Sequence, residues 1–120
     1  MILETRRVEP GIVVLIMSGR FLMGPDCRQV EKEVEQHVLR NEKSFIFDLS
    51  AVDHIDSGAV GQLVRTFTKL KQSGGTLRLA GVRGMVENVL QMMHLTRVIE
   101  IFATAEEAAK NFPRSQSPSL

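Results

Sequence analysis

The stretch Asp48-Leu-Ser-Ala-Val-Asp-His-Ile-Asp-Ser-Gly-Ala-Val-Gly61 decides how this chain folds. The residues before it, Ser44-Phe-Ile-Phe47, are aromatic and β-branched, which is typical of a buried strand. After it, apolar side chains recur at helical spacing, at Val60, Leu63, Val64, Phe67 and Leu70. The pattern predicts a strand, an acidic turn and then the first turn of a helix.

The predicted helix start carries both polar and very small residues. Asp56 or Ser57 can cap the helix by accepting a hydrogen bond from a free N–H group of the first turn. Gly58, Ala59 and Gly61 follow, and glycine inside a helix costs about 1 kcal/mol relative to alanine. Either the helix packs closely against its neighbour, or a bare backbone lets a partner or a phosphate approach; the spacing leaves both interpretations open.

Composition bounds the class of protein. A chain of 120 residues with 43% hydrophobic and 24% charged residues fits one globular domain. The net charge of +1 and the lack of Trp and Tyr argue against nucleic acid as a partner. Cys27 is the only cysteine, and no apolar run is long enough to span a membrane. We expect a cytoplasmic domain with no disulfide, metal or other cofactor and no membrane insertion.

The remaining segments alternate between strand and helix signals. We predict strands at 2–8, 12–18, 76–80 and 98–101, a loop at 19–24, and helices at 25–40, 57–73, from 84 and from 105. Thr104-Ala-Glu-Glu107 is a capping box for the last helix. The domain is expected to span residues 1–112, with a disordered tail at 113–120.

This order predicts an α/β fold with an N-terminal antiparallel strand, then βα repeats, and a mostly parallel sheet flanked by helices. The working edge of such a sheet lies at the carboxyl ends of its strands. Three segments are expected there: Gly19–Asp26, Asp48–Ser57 and Gly81–Gly84. Three methionines of the third helix, Met85, Met92 and Met93, are expected to fill gaps in the core.

Asp53, His54, Asp56 and Ser57 invite a hydrolase interpretation, with serine as nucleophile and histidine as base. Catalytic triads usually converge from separate segments, whereas these residues share one short stretch. We therefore expect no enzymatic activity. Ser57 can instead accept a phosphate from another enzyme, which would add about two negative charges beside Asp56. The alternative is that Ser57 only caps the helix.

Several motifs together resemble the STAS domain, specifically the bacterial anti-sigma factor antagonists. The similarity covers nearly the whole chain and rests on Asp48-Leu-Ser50, Ile55-Asp-Ser57, Gly61-x-Leu63, Gly19-Arg-Phe-Leu22 and Leu79-Ala-Gly-Val82. It implies a module that binds an anti-sigma factor serine kinase and so releases a sigma factor. The same kinase would switch binding off by phosphorylating a serine at the helix start.

The chain departs from the family at the acceptor. The usual turn is Asp-Ser-Ser-Gly with the second serine, or a threonine, phosphorylated; here that position is Gly58, followed by Ala59. Ser57 is the acceptor candidate if a kinase accepts a serine one residue earlier. Otherwise the antagonist is constitutive or regulated by other means.

The resemblance and the helix start together predict a partner-binding surface. Gly58 and Ala59 would permit close approach, and Gln62 and Arg65 would supply exposed polar contacts. The full set is Arg20, Phe21, Asp48, Ser50, Asp56, Ser57, Gly58, Ala59, Gln62 and Arg65. Alternatives with the same fold are a stressosome-like or a transporter-associated STAS subunit. A homodimer would form through an apolar patch left on the docking surface.

Overall fold

Five strands and four helices make up the fold in a computed structural model that describes residues 1–113. The strands are β1 (Ile2–Val8), β2 (Ile12–Phe21), β3 (Ser44–Ile55), β4 (Thr76–Ala80) and β5 (Ile101–Phe102). The helices are α1 (Pro25–Leu39), α2 (Ser57–Gln72), α3 (Gly84–Met92) and α4 (Ala105–Ala109), with a 3-10 turn at Leu95–Arg97.

The strands form one sheet in the order β1-β2-β3-β4-β5. β1 pairs antiparallel with β2, and every other neighbouring pair is parallel. The predicted fold class is therefore confirmed. The tail predicted at 113–120 lies, from residue 114 onward, outside the described residues.

Helices cover both faces of the sheet because the central strands are apolar on both sides. Leu15, Phe47 and Leu79 belong to a core shared with α1, α2 and α3. Val14 and Ile46 belong to a smaller core beneath α4. Burying each large side chain stabilises the fold by roughly 1.5–3 kcal/mol. Within residues 1–113 the helices thus pack on the two faces of the sheet. The carboxyl edge of the sheet and the outer edge of β1 are the places where a partner could bind.

The predicted acidic turn between the Phe45 strand and α2 is wrong, because β3 continues to Ile55. Two register shifts against β2 each insert an extra residue into β3. Leu49, Val52 and Ile55 therefore point into the core at every third position instead of every second. This long, bulged strand carries the chain directly to the start of α2.

Two further boundaries differ from prediction. Residues 19–21 of the expected loop belong to β2, since Gly19 and Phe21 pair with Val52 and Ile55 of the lengthened β3. The last strand is β5, not 98–101, because a 3-10 turn occupies Leu95–Arg97 first. The loop between β2 and α1 is consequently short, and β5 is a strand of two residues at the sheet edge.

The prediction that the methionines of α3 fill the core is wrong. Val86 and Leu90 are buried, whereas Met85, Met92 and Met93 are 44%, 79% and 46% exposed. The apolar residues Met85, Val86, Val89, Leu90 and Met93 share helical spacing, but Val86 and Leu90 lie at the centre of the buried stripe and the methionines lie at its margins. These thioethers therefore belong to the surface.

Arg78, a buried cation in β4, holds α4 against the sheet. Its Nη1 donates to the carbonyl oxygens of Ala108 and Lys110, each at 3.0 Å. Its guanidinium lies between the rings of Phe102 and Phe112, 4.8 and 5.0 Å from their centroids. Hydrogen bonds and ring faces together offset the loss of hydration. The C-terminal helix is thereby fixed over β3 and β4.

A second polar cluster joins β1 to the end of α1. Glu42 accepts hydrogen bonds from Arg7 Nε and Nη2 at 2.8 and 3.0 Å. His37, which is 3% exposed, lies 2.8 Å from Glu42 through Nδ1. The hydrogen bonds from Arg7 are the main reason that the pKa of Glu42 falls to about 2. This cluster ties the edge strand to the helix that covers it.

Candidate functional site at the start of helix α2

Asp56 organises the start of α2. Its backbone is extended, and its Oδ1 accepts a hydrogen bond from the Ala59 N–H at 2.8 Å. Of the two predicted caps, the structure therefore uses Asp56. The same carboxylate also accepts from the Met23 N–H, at 3.1 Å to each oxygen. One side chain thus joins the first turn of α2 to the loop between β2 and α1.

That loop has further attachments of its own. Asp26 accepts from the Leu22 N–H at 3.0 Å, closing the loop before α1 begins. The buried Cys27 thiol donates to the carbonyl oxygens of Leu22 and Gly58, at 3.5 and 3.8 Å. Burial, with a smaller contribution from the Asp56 carboxylate, raises the pKa of Cys27. The sulfur therefore stays a neutral thiol and a weak donor to the helix start.

Gly58 is the point of closest packing between the loop and α2. A Cβ atom added there would overlap the Cβ of Met23 and lie 3.1 Å from its Sδ. The packing interpretation of Gly58 therefore has a defined partner. Met23 is itself 67% exposed. Its side chain occupies the space beside Gly58, the position at which the resemblance described above expects a phosphoacceptor.

Ser57 lies beside this contact as the first residue of α2, and its side chain is exposed. Within residues 1–113 its hydroxyl makes no hydrogen bond. His54 Nδ1 lies 3.1 Å from Asp53 Oδ1, and this hydrogen bond is the main reason that the pKa of Asp53 is lowered. Of the four residues of the hydrolase hypothesis, Asp53 and His54 thus form one adjacent pair, Asp56 caps α2, and Ser57 stands apart from the pair.

Gln62 and Arg65 occupy the next turns of α2. The expectation that Gln62 is exposed is wrong: it is 4% exposed and donates to Thr66 Oγ1 at 3.2 Å. Its carbonyl oxygen accepts from Arg65 Nη2 at 3.0 Å, and Arg65 is exposed. A groove of about 180 Å³ runs here between α1 and α2, lined by Glu31, Val34, Gln62, Arg65, Thr66 and Lys69. Gln62 therefore positions Arg65 at the groove.

Two more residues of the predicted surface cannot present their side chains. Phe21 and Ala59 are completely buried, because β2 continues through Phe21 and because α2 packs against the sheet. Arg20, paired in register with His54, is exposed at the end of β2. Phe21 and Ala59 support the site, whereas Arg20 lies on the surface.

Asp48 and Ser50 belong to a different part of the carboxyl edge. Asp48 Oδ1 accepts from the Ser50 N–H at 3.0 Å, which stabilises the first bulge of β3. Ser50 lines a cavity of about 650 Å³ with Gly81, Val82, Arg83, Glu87, Ile101, Phe102 and Ala103. Gly81 has φ +76°, and a Cβ there would lie 2.7 Å from Ser50 Cβ. The structure does not bring Asp48 and Ser50 together with the start of α2.

The cavity beside Ser50 adjoins the start of α3, which lacks the side-chain cap found at the start of α2. α3 follows Arg83, whose side chain makes no capping hydrogen bond. Arg83 and Met23 lie in segments expected at the carboxyl edge, Gly81–Gly84 and Gly19–Asp26, but no sequence motif assigns either residue a role of its own. Within residues 1–113 no group of three or more His, Cys, Asp or Glu side chains is placed to hold a metal ion. None of the helices described there is both long and apolar enough to cross a membrane.

Comparisons with known proteins agree with this architecture. Residues 5–108 match the family model of the STAS domain. A Thermotoga maritima protein named "putative anti-sigma factor antagonist" is 31% identical over 103 residues, covering 85% of this chain and 91% of that protein. A crystal structure of such an antagonist from the same organism superimposes with a TM-score of 0.84 at 25% identity, over 93% of this chain and 95% of the other.

More distant structures share the fold alone. The anti-sigma factor antagonist SpoIIAA in its unphosphorylated form has a TM-score of 0.70 at 16% identity, covering 90% of this chain and 94% of its own. A sulfate transporter family protein from Wolinella succinogenes has a TM-score of 0.67 at 20% identity, covering 86% and 85%. The family match over most of the chain and the named relative lead to one conclusion: this chain belongs to the STAS domain family, among the anti-sigma factor antagonists.

Proposed function

We propose that this chain is a non-enzymatic binding module of the cytoplasm that captures an anti-sigma factor, a serine kinase, and thereby releases a sigma factor. The name of its Thermotoga maritima relative and the similarity of fold support this function. The observation that carries the docking site is the Asp56 carboxylate, which joins Met23 and Ala59 across two segments. A surface fixed before binding loses less conformational freedom when a partner docks.

The proposed docking surface consists of the exposed side chains around that carboxylate. Met23 supplies a flexible apolar contact of a kind common at partner-binding surfaces. Ser57 supplies a hydroxyl, and Arg65 and Arg20, which are both exposed, supply positive charge. Phe21, Ala59 and Gln62 take part only by supporting these residues from below. The surface fits a partner with an acidic rim around an apolar pocket.

Calorimetric titration with the anti-sigma factor kinase encoded nearest to this chain tests the proposal. Arg65→Glu should weaken binding at least about tenfold, since truncated or reversed arginine anchors commonly cost more than 1 kcal/mol. Lys71→Glu, the same charge reversal further along α2, is the matched control and should bind normally. Equal binding by both variants and the wild type would place docking elsewhere; no binding by the wild type would reject the kinase as partner.

Regulation of this surface is proposed to depend on Ser57. Gly58 has no hydroxyl, and Met23 fills the space that a side chain at that position would need. A phosphate on Ser57 would be stabilised by the first-turn N–H groups, yet would add about two negative charges beside Asp56. It would then repel an acidic partner without unfolding the domain.

Intact-mass measurement after incubation with the kinase and ATP tests this regulation. The mass of one phosphate that is absent from Ser57→Ala supports a shifted acceptor. An unmodified mass despite tight binding contradicts it and identifies a constitutive antagonist. Phosphate on another residue would also contradict it, because no other hydroxyl group lies in the first turn of α2.

A transporter-associated or stressosome-like role is the second candidate, supported by the fold that the chain shares with a sulfate transporter family protein. The neighbouring genes distinguish the two roles. A kinase or sigma factor gene beside this one favours the first, and transporter genes favour the second. The same titration, repeated with the neighbouring transporter, gives the direct test.

A further inference from the structure

We infer that β1 is a self-complementary edge strand that pairs antiparallel with β1 of a second copy, with the two Thr5 residues opposite each other. The two sheets would then join into one continuous sheet. This interface lies on β1, away from the start of α2, and does not depend on the function proposed above.

The outer side of β1 has the geometry that strand addition requires. β1 is seven residues long, and β2 is its single neighbour among the strands of residues 1–113. All seven residues pair with β2 in an uninterrupted register, without the bulges that distort β3. β5, at the opposite edge, has only two residues. A long, regular edge leaves a row of backbone donors and acceptors for another strand, whereas a very short edge does not.

The sequence of β1 is complementary to itself in one antiparallel register. With Thr5 opposite Thr5, Glu4 of each copy lies opposite Arg6 of the other, so that two ion pairs form across the twofold axis. Both side chains are exposed, and neither has an ion-pair partner within residues 1–113. Directly opposed residues of antiparallel strands have Cβ atoms about 4.5–5.5 Å apart, which suits such pairs.

The apolar ends of β1 match in the same register. Ile2 lies opposite Val8 of the second copy, on the same face of the sheet as Glu4 and Arg6. Ile2 is 63% exposed and Val8 is half-buried against the core beneath α4. α4 packs against β3, β4 and β5, so among the elements of residues 1–113 its main contacts leave this face of β1 open. A second copy would cover Ile2 without displacing a helix there.

The other face of β1 is already committed to α1. Thr5 donates to Glu33 at 3.3 Å, and Arg7 binds Glu42. These contacts hold β1 against α1 and the residues that follow α1, and they fix the outer edge of β1 before association. The side-chain pairs that select the register are therefore Glu4–Arg6 and Ile2–Val8, on the face of β1 opposite α1.

Sedimentation velocity over a concentration series tests the inference with the full chain. The wild type should form a dimer as the concentration rises. Glu4→Arg and Arg6→Glu should each raise the dissociation constant at least about tenfold, because each replaces two attractive pairs by two repulsive ones. A mixture of the two variants should dimerise again, since a heterodimer restores both Glu–Arg pairs.

Two controls separate this result from a folding defect. Glu106→Arg, a charge reversal at an exposed position of α4, should dimerise like the wild type. Both β1 variants should keep the wild-type circular dichroism spectrum and midpoint of unfolding. Thr5→Cys should form a disulfide-linked dimer under oxidation, since only this register places residue 5 opposite itself.

A wild type that stays monomeric at every concentration overturns the inference. So does a dimer whose dissociation constant is unchanged by Glu4→Arg and by Arg6→Glu, or two variants that do not associate on mixing. A titration of Glu4→Arg with the anti-sigma factor kinase separates the two proposals, because β1 pairing can fail while docking at α2 persists, and the reverse.

Discussion

Two helices start at the carboxyl edge of the same sheet, and they do so in different ways. α2 begins at Asp56, whose carboxylate caps the helix and binds the loop that holds Met23. α3 begins at Arg83, which supplies no cap and places a positive charge at the positive end of the helix dipole. The first junction is tied to a second segment of the chain, whereas the second is bounded by open cavities.

In many α/β folds the carboxyl edge of the sheet is also the binding site. The two junctions show that a position at this edge does not by itself produce a fixed docking surface. The cavity near α3 is larger, but the side chain of Arg83, which lines it, makes no capping hydrogen bond at the helix start. The surface at α2 adjoins the smaller groove between α1 and α2, and the Asp56 carboxylate fixes it through hydrogen bonds to two segments. A protein partner needs a fixed surface more than a deep cavity, since docking is favoured when the interface is ordered beforehand.

The largest expected effect comes from removing the carboxylate that distinguishes the two junctions. Asp56→Ala should lower the free energy of unfolding by about 2 kcal/mol, the upper range for loss of an N-cap, because the Met23 N–H loses its acceptor as well. Urea unfolding measures it. Arg83→Ala, the corresponding position of α3, is the control and should change stability by less than about 0.5 kcal/mol.

A smaller effect is expected from filling the space at Gly58. Gly58→Ser should destabilise the domain by about 1–2 kcal/mol, because the new Cβ overlaps Met23 Cβ. Met23→Gly should relieve the overlap in the double variant, whereas Met23→Ala, which retains the Cβ, should not. Gly61→Ser is the matched control, since the nearest atom to its Cβ would be Arg65 Nη1 at 3.3 Å, the end of a long side chain.

The coupling between these positions can be measured by a double-mutant cycle in urea. Additive effects of Gly58→Ser and Met23→Gly would mean that the two residues do not constrain each other. Packing against Met23 would then no longer explain why position 58 lacks a serine.

Installing the missing cap at α3 should have the opposite sign. Arg83 already has extended backbone angles, φ −156° and ψ 166°, as an N-cap residue requires. Arg83→Asp should therefore stabilise the domain by about 1 kcal/mol, as seen for added caps, measured as a rise in the midpoint of thermal unfolding. Arg83→Asn, which caps without adding a charge, separates the hydrogen bond from the dipole contribution.

The smallest effect concerns the opposite side of the molecule and tests whether acid sensitivity lies outside the site. The Glu42 pKa falls from 4.5 to about 2 on folding, mainly through Arg7. A lowered pKa stabilises the folded state above pH 4.5, and this stabilisation is lost as the pH falls toward 2. The effect is small because the ion pair is in contact with solvent.

Unfolding midpoints measured across that pH range check this expectation. Glu42→Gln should flatten the decline, since its side chain does not titrate. A decline of the same steepness in Glu42→Gln would assign the acid sensitivity to other carboxylates.

Much of the fold could be predicted from the sequence because its local signals agree with its packing. The spacing of Val60 and Leu63 predicted α2, and the Thr104 capping box predicted α4, with Thr104 Oγ1 accepting from the Glu107 N–H as expected. The end of β3 could not be predicted in the same way. Its bulges change the buried period from two to three, and a period of three indicates neither strand nor helix.

The location of the candidate site could be predicted from the sequence, but which side chains it exposes could not. Asp56 and Ser57 stand at the helix start as expected, because a capping residue acts locally. Gln62 is buried because α1 packs over it and because Thr66 and Arg65 satisfy its amide. Met23 lies far away in sequence and contacts Gly58 only through the tertiary fold. Contacts of that kind leave no local pattern in the sequence.

Hydrogen–deuterium exchange of the chain, alone and bound to the anti-sigma factor kinase, tests docking at the α2 junction most directly. Such docking predicts slower exchange in residues 20–28 and 56–65, and unchanged exchange in 81–92. Protection of residues 81–92 without protection of 56–65 would contradict it, and would move the partner to the cavity beside α3.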